Sequence, residues 1–169
     1  LDNTMGYIEY NENYKPRERS LTFDSKALQT GSNLNLKRLY VLTTSMTASS
    51  SEIIINCLRP YMEVIVVGDK TEGKNVGSLA YSSKELQLIM RPIVCKIYNA
   101  YHESEYSDGF KADVVVKESS NLARFLPFGD TNELLLGTTL GLIGGDTMEE
   151  APETRSSSSF QVVENSLQR

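Results

Sequence analysis

Two short apolar runs on either side of an amphipathic segment constrain the fold of this 169-residue chain most strongly. Residues 39–43 and 64–67 are continuous and apolar, as buried strands are. Residues 50–59 between them carry apolar side chains at helical spacing. The helix face predicted to be buried consists of Ile53, Ile54, Cys57 and Leu58. This order predicts a right-handed crossover between two parallel strands, and hence an α/β fold with a β-sheet and crossover helices.

Other segments predict the remaining organisation of the chain. Strands are predicted over 5–10 and 113–116, a long strand or hairpin over 86–98 with Pro92 at an edge or bulge, and a helix over 131–143. From Asp146 onward the chain is rich in Glu, Ser, Thr and Pro, which is typical of a weakly ordered segment. We therefore expect one domain over 1–145 and a polar tail over 146–169.

Composition excludes several classes of function. The net charge is −5, the pI is about 5.0, and no basic stripe is present, so we expect no nucleic-acid partner. No apolar run approaches the roughly 20 residues of a membrane-spanning helix. Cys57 and Cys95 lie in apolar runs and are predicted to be free thiols, with a disulfide left open. With no CxxC and one histidine, we expect no metal and no cofactor. That histidine, His102, lies in a polar stretch and gives no support to a Ser-His-Asp enzyme.

The segment Thr-Ala-Ser-Ser-Ser-Glu at residues 47–52 lies between the first strand and the helix. A serine in such a turn projects its hydroxyl near the free N–H groups of a helix N-terminus, which can stabilise an oxyanion. Ser49 and Glu52 also have the spacing of a capping box, in which both side chains satisfy the first turn of the helix. The hexapeptide alone allows either interpretation.

Lys74 follows the second strand of the same unit. A lysine in a loop is usually a solvated surface charge, and it acts as a base only where desolvation disfavours its ammonium form. The carboxyl ends of parallel strands lie at one edge of a sheet, where α/β sites form. Since Ser49 follows one strand and Lys74 the next, we expect both at that edge.

These segments resemble the C-terminal processing (tail-specific) serine peptidases. That family has a Thr/Ser-Ala-Ser-Ala/Ser-Ser-Glu segment, an apolar strand ending in Val-Gly-Glu/Asp, and Thr-x-Gly-Lys. This chain has residues 47–52, then Val-Val-Gly-Asp at 66–69, then Thr-Glu-Gly-Lys at 71–74. Ser49 and Lys74 are also separated by the family's 25 residues. The stretch 107–114 is similar to a later family strand, with Ala112 in place of proline. The resemblance covers about residues 5 to 143.

The resemblance implies a Ser-Lys dyad on a crotonase/ClpP-like core. Ser49 would be the nucleophile and Lys74 the general base, and the Ser49 N–H would be one oxyanion donor. Glu52 would orient the site or cap the helix. The substrate would be a protein or peptide, and the location extracytoplasmic, in the bacterial periplasm or cell envelope.

Three departures from the family pattern limit this expectation. Ser78 stands where many members have glutamine, and Pro60 where others have aspartate, so the third catalytic residue stays open and Ser78 is a supporting candidate. The family's Asp-Leu-Arg-x-Asn-x-Gly-Gly segment, which supplies the second oxyanion donor, is not in this sequence. The core is therefore expected to be incomplete at its N-terminus. Because one such donor contributes about 100- to 1000-fold, this chain alone is expected to be weakly active or inactive.

Two other functions are considered. Residues 68–75 nearly match the G-x-x-x-x-G-K-[ST] phosphate-binding loop, although Asn75 replaces the final hydroxyl residue. The alternative is a non-catalytic module of the same fold, in which an exposed edge at residues 86–98 binds an extended peptide.

Overall fold

The computed structural model describes residues 4–24, 26 and 34–145. The chain divides into two compact units, Leu1–Val114 and Val115–Arg169. The tail predicted over 146–169 lies outside the described residues. The domain predicted over 1–145 stays a prediction. Among the helices of the described part, none has the length and apolar character needed to cross a membrane.

The described part of the chain mixes strands and helices, although most of the strands follow one another without an α-helix between them. In chain order the strands are β1 (Thr4–Tyr10), β2 (Arg19–Thr22), β3 (Arg38–Thr43), β4 (Glu63–Gly68), β5 (Val76–Ser78), β6 (Tyr81–Ser83), β7 (Leu88–Met90), β8 (Ile93–Asn99) and β9 (Val114–Val115). The α-helices are α1 (Ser50–Leu58) and α2 (Leu134–Gly144), and short 3-10 helices cover Lys15–Arg17, Glu118–Ser120 and Leu122–Arg124.

The predicted crossover between parallel strands is confirmed. β3 and β4 pair in parallel from Arg38 opposite Glu63 to Thr43 opposite Gly68, with α1 between them in the chain. β9 lies on the other side of β4, which places β4 at the centre of a three-stranded sheet. Both parallel strands end at the same edge, so the loops that carry Ser49 and Lys74 leave the sheet there.

The face of α1 predicted to be buried is correct for Cys57 and wrong for Ile54, while Ile53 and Leu58 are half-buried. Ile54 is 52% exposed, whereas Glu52, Ile55, Asn56 and Cys57 are buried. Apolar spacing missed part of the buried face because two of these four residues are polar, and both make hydrogen bonds to distant segments. Burial also raises the pKa of the Cys57 thiol to about 11, which marks it as an inert core thiol.

The predicted peptide-binding edge at residues 86–98 is wrong for β8, whereas β7 has one edge unpaired among the described residues. Pro92 separates two strands in different sheets, because proline has no N–H with which to continue a ladder. β8 lies inside a four-stranded sheet of order β2-β1-β8-β5 and is paired on both sides. β7 pairs only with β6, in a separate two-stranded sheet. The long strand of this region therefore offers no free edge to a peptide.

An apolar cluster lies beneath the crossover unit. It consists of Ile55, Val64, Val66, Tyr106 and Phe110. The rings of Tyr106 and Phe110 stack with centroids 4.7 Å apart. Burial, with the nearby Glu52 charge, raises the pKa of the Tyr106 hydroxyl well above its usual value, and no described group hydrogen-bonds it. This cluster connects the segment around residue 110 to the base of α1.

The second unit contains the predicted C-terminal helix. α2 begins at Leu134, three residues later than predicted, because the Glu133 carboxylate accepts from the N–H groups of Leu135 and Leu136 and so caps the helix. It ends at Gly144 and is capped by Gly145, whose φ of +94° is the left-handed conformation expected at a helix C-terminus.

Candidate active site

The turn between β3 and α1 holds Ser49 in an unusual backbone conformation. Its φ is +57° and its ψ is −115°, a region that residues other than glycine seldom occupy. Ser49 is half-buried and immediately precedes the first residue of α1. A strained strand-to-helix turn is one way in which hydrolases lift a serine hydroxyl clear of the backbone. The conformation of Ser49 thus goes beyond what a helix cap requires.

The N–H groups of this turn have different partners. The Ser49 N–H donates to Glu52 Oε2 at 2.9 Å, which completes one half of the predicted capping box. The Ser49 hydroxyl faces the Glu52 N–H without a full hydrogen bond, because that N–H donates to the Ser49 carbonyl oxygen at 3.0 Å. Among the described residues, nothing accepts from the Ser50 N–H. The Ser49 N–H, which was predicted to be an oxyanion donor, therefore already donates to Glu52. The Ser50 N–H has no acceptor among the described residues.

Glu52 is the buried centre of the site. Its side chain is fully inaccessible to solvent, and its carboxylate accepts four hydrogen bonds, two on each oxygen. Oε1 accepts from the Thr71 hydroxyl at 2.6 Å and the Gly73 N–H at 2.7 Å. Oε2 accepts from the N–H groups of Ser49 at 2.9 Å and Lys74 at 2.8 Å. We call this carboxylate and its four donors the Glu52 clamp. The four donors fill the acceptor sites of an ionised carboxylate.

The Glu52 clamp brings the backbones of Ser49 and Lys74 together. Because both nitrogens donate to one oxygen, they can be no further apart than the sum of the two hydrogen-bond lengths. Lys74 is half-buried. No hydrogen bond or ion pair joins the Ser49 and Lys74 side chains, and no other described residue makes such a contact with the Lys74 amine. The amine is thus free of competing partners.

Three further hydrogen bonds tie the loop after β4 to the end of β3 and the turn that follows it. The Thr43 hydroxyl donates to the Asp69 carbonyl oxygen at 2.7 Å, and the Asp69 N–H donates back to the Thr43 carbonyl oxygen at 3.0 Å. The Glu72 N–H donates to the Thr47 carbonyl oxygen at 2.9 Å. At Gly68, with φ of +134°, a Cβ would lie 2.0 Å from the Thr43 carbonyl oxygen, so this close approach requires glycine.

The structure contradicts the phosphate-binding loop. Such a loop turns its N–H groups toward the phosphates and continues into a helix, with a hydroxyl ligand for Mg²⁺ after the lysine. Here the Gly73 and Lys74 N–H groups donate to Glu52, and β5 follows instead of a helix. The Asn75 amide is buried and donates to the Ser104 carbonyl oxygen at 2.7 Å. The Glu52 carboxylate thus accepts the hydrogen bonds that a phosphate would accept in such a loop.

The remaining candidates lie outside the Glu52 clamp. Ser78 ends β5, is exposed, and pairs with Ile93, without a hydrogen bond to the clamp. His102 is exposed, stacks on Tyr7 and lies 3.5 Å from a Glu9 carboxylate oxygen. Across residues 4–24, 26 and 34–145, no three His, Cys, Asp or Glu side chains converge as metal ligands would.

Thr71 is the residue of the site that sequence reasoning missed as a functional position. It belongs to the quoted Thr-x-Gly-Lys segment, yet only the folded chain shows that its hydroxyl donates to Glu52 Oε1. A threonine next to a Gly-Lys pair gives no signal for a buried contact with a glutamate 19 residues earlier. The Thr-x-Gly-Lys motif therefore identified Thr71, whereas only the folded structure shows that Glu52 is its partner.

Comparison with known proteins indicates the family of the chain. The model of peptidase family S41 matches residues 2–116. The chain is similar to a crystal structure of a protein assigned to the S41 proteases, from Bacteroides fragilis NCTC 9343. The identity is 38%, the TM-score is 0.80, and the match covers 88% of this chain and 38% of that one. This chain therefore spans well under half the length of that relative.

Two more distant structures also match. A lipoprotein from Streptococcus agalactiae is 16% identical with a TM-score of 0.48, over 69% of this chain and 41% of that one. A photosystem II D1 C-terminal processing protease is 17% identical with a TM-score of 0.49, over 80% of this chain and 31% of that one. No curated protein sequence matches. The assignment rests on the family model and the Bacteroides structure, because the two distant likenesses are too weak to add to it.

Proposed function

Because the chain belongs to peptidase family S41, we propose that it carries the nucleophile and base of a C-terminal processing serine peptidase. In this proposal Ser49 attacks the peptide carbonyl and Lys74 is the general base. The substrate is a protein or peptide cleaved near its C-terminus. The observation that carries the proposal is that one buried carboxylate oxygen accepts from the N–H groups of both residues. Two loops from different strands are thereby fixed next to each other, as a nucleophile and its base must be.

Acylation begins at the strained turn. The neutral Lys74 amine takes the proton of the Ser49 hydroxyl as the oxygen bonds to the substrate carbonyl carbon. The resulting ammonium then gives that proton to the amine of the departing fragment as the C–N bond breaks. The product is an ester of Ser49 with the acyl part of the substrate. Water, deprotonated by Lys74, hydrolyses this ester, which releases the carboxylic acid and restores Ser49.

The tetrahedral intermediate needs N–H donors for its oxyanion. The Ser50 N–H is the donor that this chain offers, because it opens α1 beside the nucleophile and has no described acceptor. The positive end of the helix macrodipole lies at the same point and favours the developing negative charge. In other hydrolases with a strained nucleophile turn, the residue after the nucleophile supplies this donor.

Family membership supports two finer parts of the proposal. They are a crotonase/ClpP-like core and an extracytoplasmic location in the periplasm or cell envelope. The parallel crossover unit and the site at the carboxyl ends of its strands are compatible with such a core.

Covalent labelling with a fluorophosphonate tests the proposal. The Ser49 oxygen should bond to phosphorus, with loss of fluoride and transfer of the hydroxyl proton to Lys74. We expect a single adduct, which forms slowly because this sequence lacks the family's second oxyanion donor and which peptide mapping and mass spectrometry locate on Ser49. It should disappear in Ser49→Ala and persist in Ser51→Ala, whose exposed hydroxyl is two residues away. Absence of an adduct on the folded chain, or an adduct unaffected by Ser49→Ala, would contradict the proposal.

A further inference from the structure

The segment 107–110 contacts the loop of Lys74. At Gly73 a Cβ would lie 2.3 Å from the Ser107 carbonyl oxygen and 2.5 Å from the Gly109 nitrogen. At Gly109 a Cβ would lie 1.9 Å from the Thr71 carbonyl oxygen. Both glycines have positive φ. The two backbones therefore touch directly, and the position of one loop determines that of the other.

Thr71 connects this segment to the Glu52 clamp. It is 2% exposed, and its hydroxyl uses both of its hydrogen-bonding functions. The hydroxyl donates to Glu52 Oε1 at 2.6 Å and accepts from the Phe110 N–H at 2.7 Å. The Thr71 N–H donates to the Phe110 carbonyl oxygen at 3.1 Å. One side chain thus joins three segments of the first unit: α1, the loop of Lys74 and the segment at Phe110.

These contacts determine the orientation of the Glu52 carboxylate. Thr71 and the Gly73 N–H hold Oε1, and because the carboxylate is planar, fixing Oε1 also directs Oε2 toward Ser49 and Lys74. Without the hydroxyl, Oε1 keeps one donor and the carboxylate can rotate. A displacement of about 1 Å at a catalytic group can cost on the order of 100-fold in rate.

We propose that Thr71 is a positioning residue, whose hydroxyl orients the Glu52 carboxylate and thereby sets the separation of Ser49 and Lys74. This inference rests on the proposed function, since it concerns the same dyad. It assigns Thr71 no contact with substrate. Its effect is on the rate of the chemical step, because the hydroxyl acts through the Glu52 clamp.

Paired substitutions separate positioning from a contribution to folding. Thr71→Val keeps the branched shape and removes the hydroxyl, whereas Thr71→Ser keeps the hydroxyl and removes a methyl group. Fluorophosphonate labelling of the full chain is followed over a range of probe concentrations, on protein shown to be folded by circular dichroism. We expect Thr71→Val to lower the limiting rate constant by about tenfold or more, with the half-saturating concentration unchanged within about twofold. Thr71→Ser should stay within about threefold of the wild-type rate constant.

Thr138→Val is the matched control, since its hydroxyl donates to the Leu134 carbonyl oxygen within α2 of the second unit. It should label at the wild-type rate. A folded Thr71→Val that labels at the wild-type rate would overturn the inference. It would also be overturned if Thr71→Ser labelled as slowly as Lys74→Met. The serine variant keeps the test decisive if Thr71→Val does not fold. Failure of the wild-type chain to label at Ser49 is a separate outcome, which rejects the proposed function itself.

Discussion

Lys74→Met is expected to slow labelling of Ser49 by about 100- to 10,000-fold, the usual contribution of a general base. Methionine is unbranched and ends at the position of the lysine Cε, so it keeps most of the side chain and removes the amine. The Glu52 clamp should remain intact, because its hydrogen bond to residue 74 comes from the backbone N–H. The loss of rate should therefore occur in a folded protein whose Ser49 turn is unchanged.

Two other variants make this result specific to the amine of Lys74. Lys74→Arg should be nearly as slow, since a guanidinium stays protonated and cannot accept the Ser49 proton. Lys70→Met removes an exposed lysine from the same loop and should label within about twofold of the wild-type rate. Equal rates for Lys74→Met and Lys70→Met would exclude Lys74 as the base.

Glu52→Ala is expected to lower the free energy of unfolding by about 4 kcal/mol or more. It leaves four donors without their acceptor, and each buried donor without a partner costs about 1–3 kcal/mol. That loss is a large share of the roughly 5–15 kcal/mol by which a domain is stable. Urea titration followed by circular dichroism measures it.

Glu52→Gln refines the same prediction. Glutamine fits the space but places an NH₂ group against two donors, so we expect a loss of about 2 kcal/mol or more. Glu72→Ala is the control, because the Glu72 side chain is exposed and only its backbone N–H takes part in the loop contacts. It should change stability by less than about 0.5 kcal/mol. A loss below about 1 kcal/mol in Glu52→Ala would show that the clamp does not hold the two loops.

The sequence was sufficient to predict the local elements of the site. The β3-α1-β4 crossover, the turn at Ser49 and the loop of Lys74 follow from apolar runs, helical spacing and chain order. The meeting of the two loops at one sheet edge follows from parallel topology. Family motifs then singled out Ser49 and Lys74 among many serines and lysines.

Long-range polar contacts account for most of what the sequence could not predict. Glu52 was expected to cap the helix or orient the site. Its hydrogen bonds to Thr71, Gly73 and Lys74, however, depend on how the loops fold onto α1. The buried face of α1 was partly mispredicted for the same reason, since hydrophobic spacing cannot identify a buried carboxylate. The positive φ of Ser49 and the use of its N–H by Glu52 are likewise properties of the folded turn.

Formation of an acyl-enzyme tests the central claim most directly, because it reports carbonyl chemistry at Ser49. The chain is mixed with p-nitrophenyl acetate, quenched in acid and mapped by mass spectrometry. We predict one acetyl group on the Ser49 oxygen, which is absent in Ser49→Ala and strongly reduced in Lys74→Met. An unmodified Ser49, with acetyl groups only on Lys74 or on surface lysines, would contradict the account.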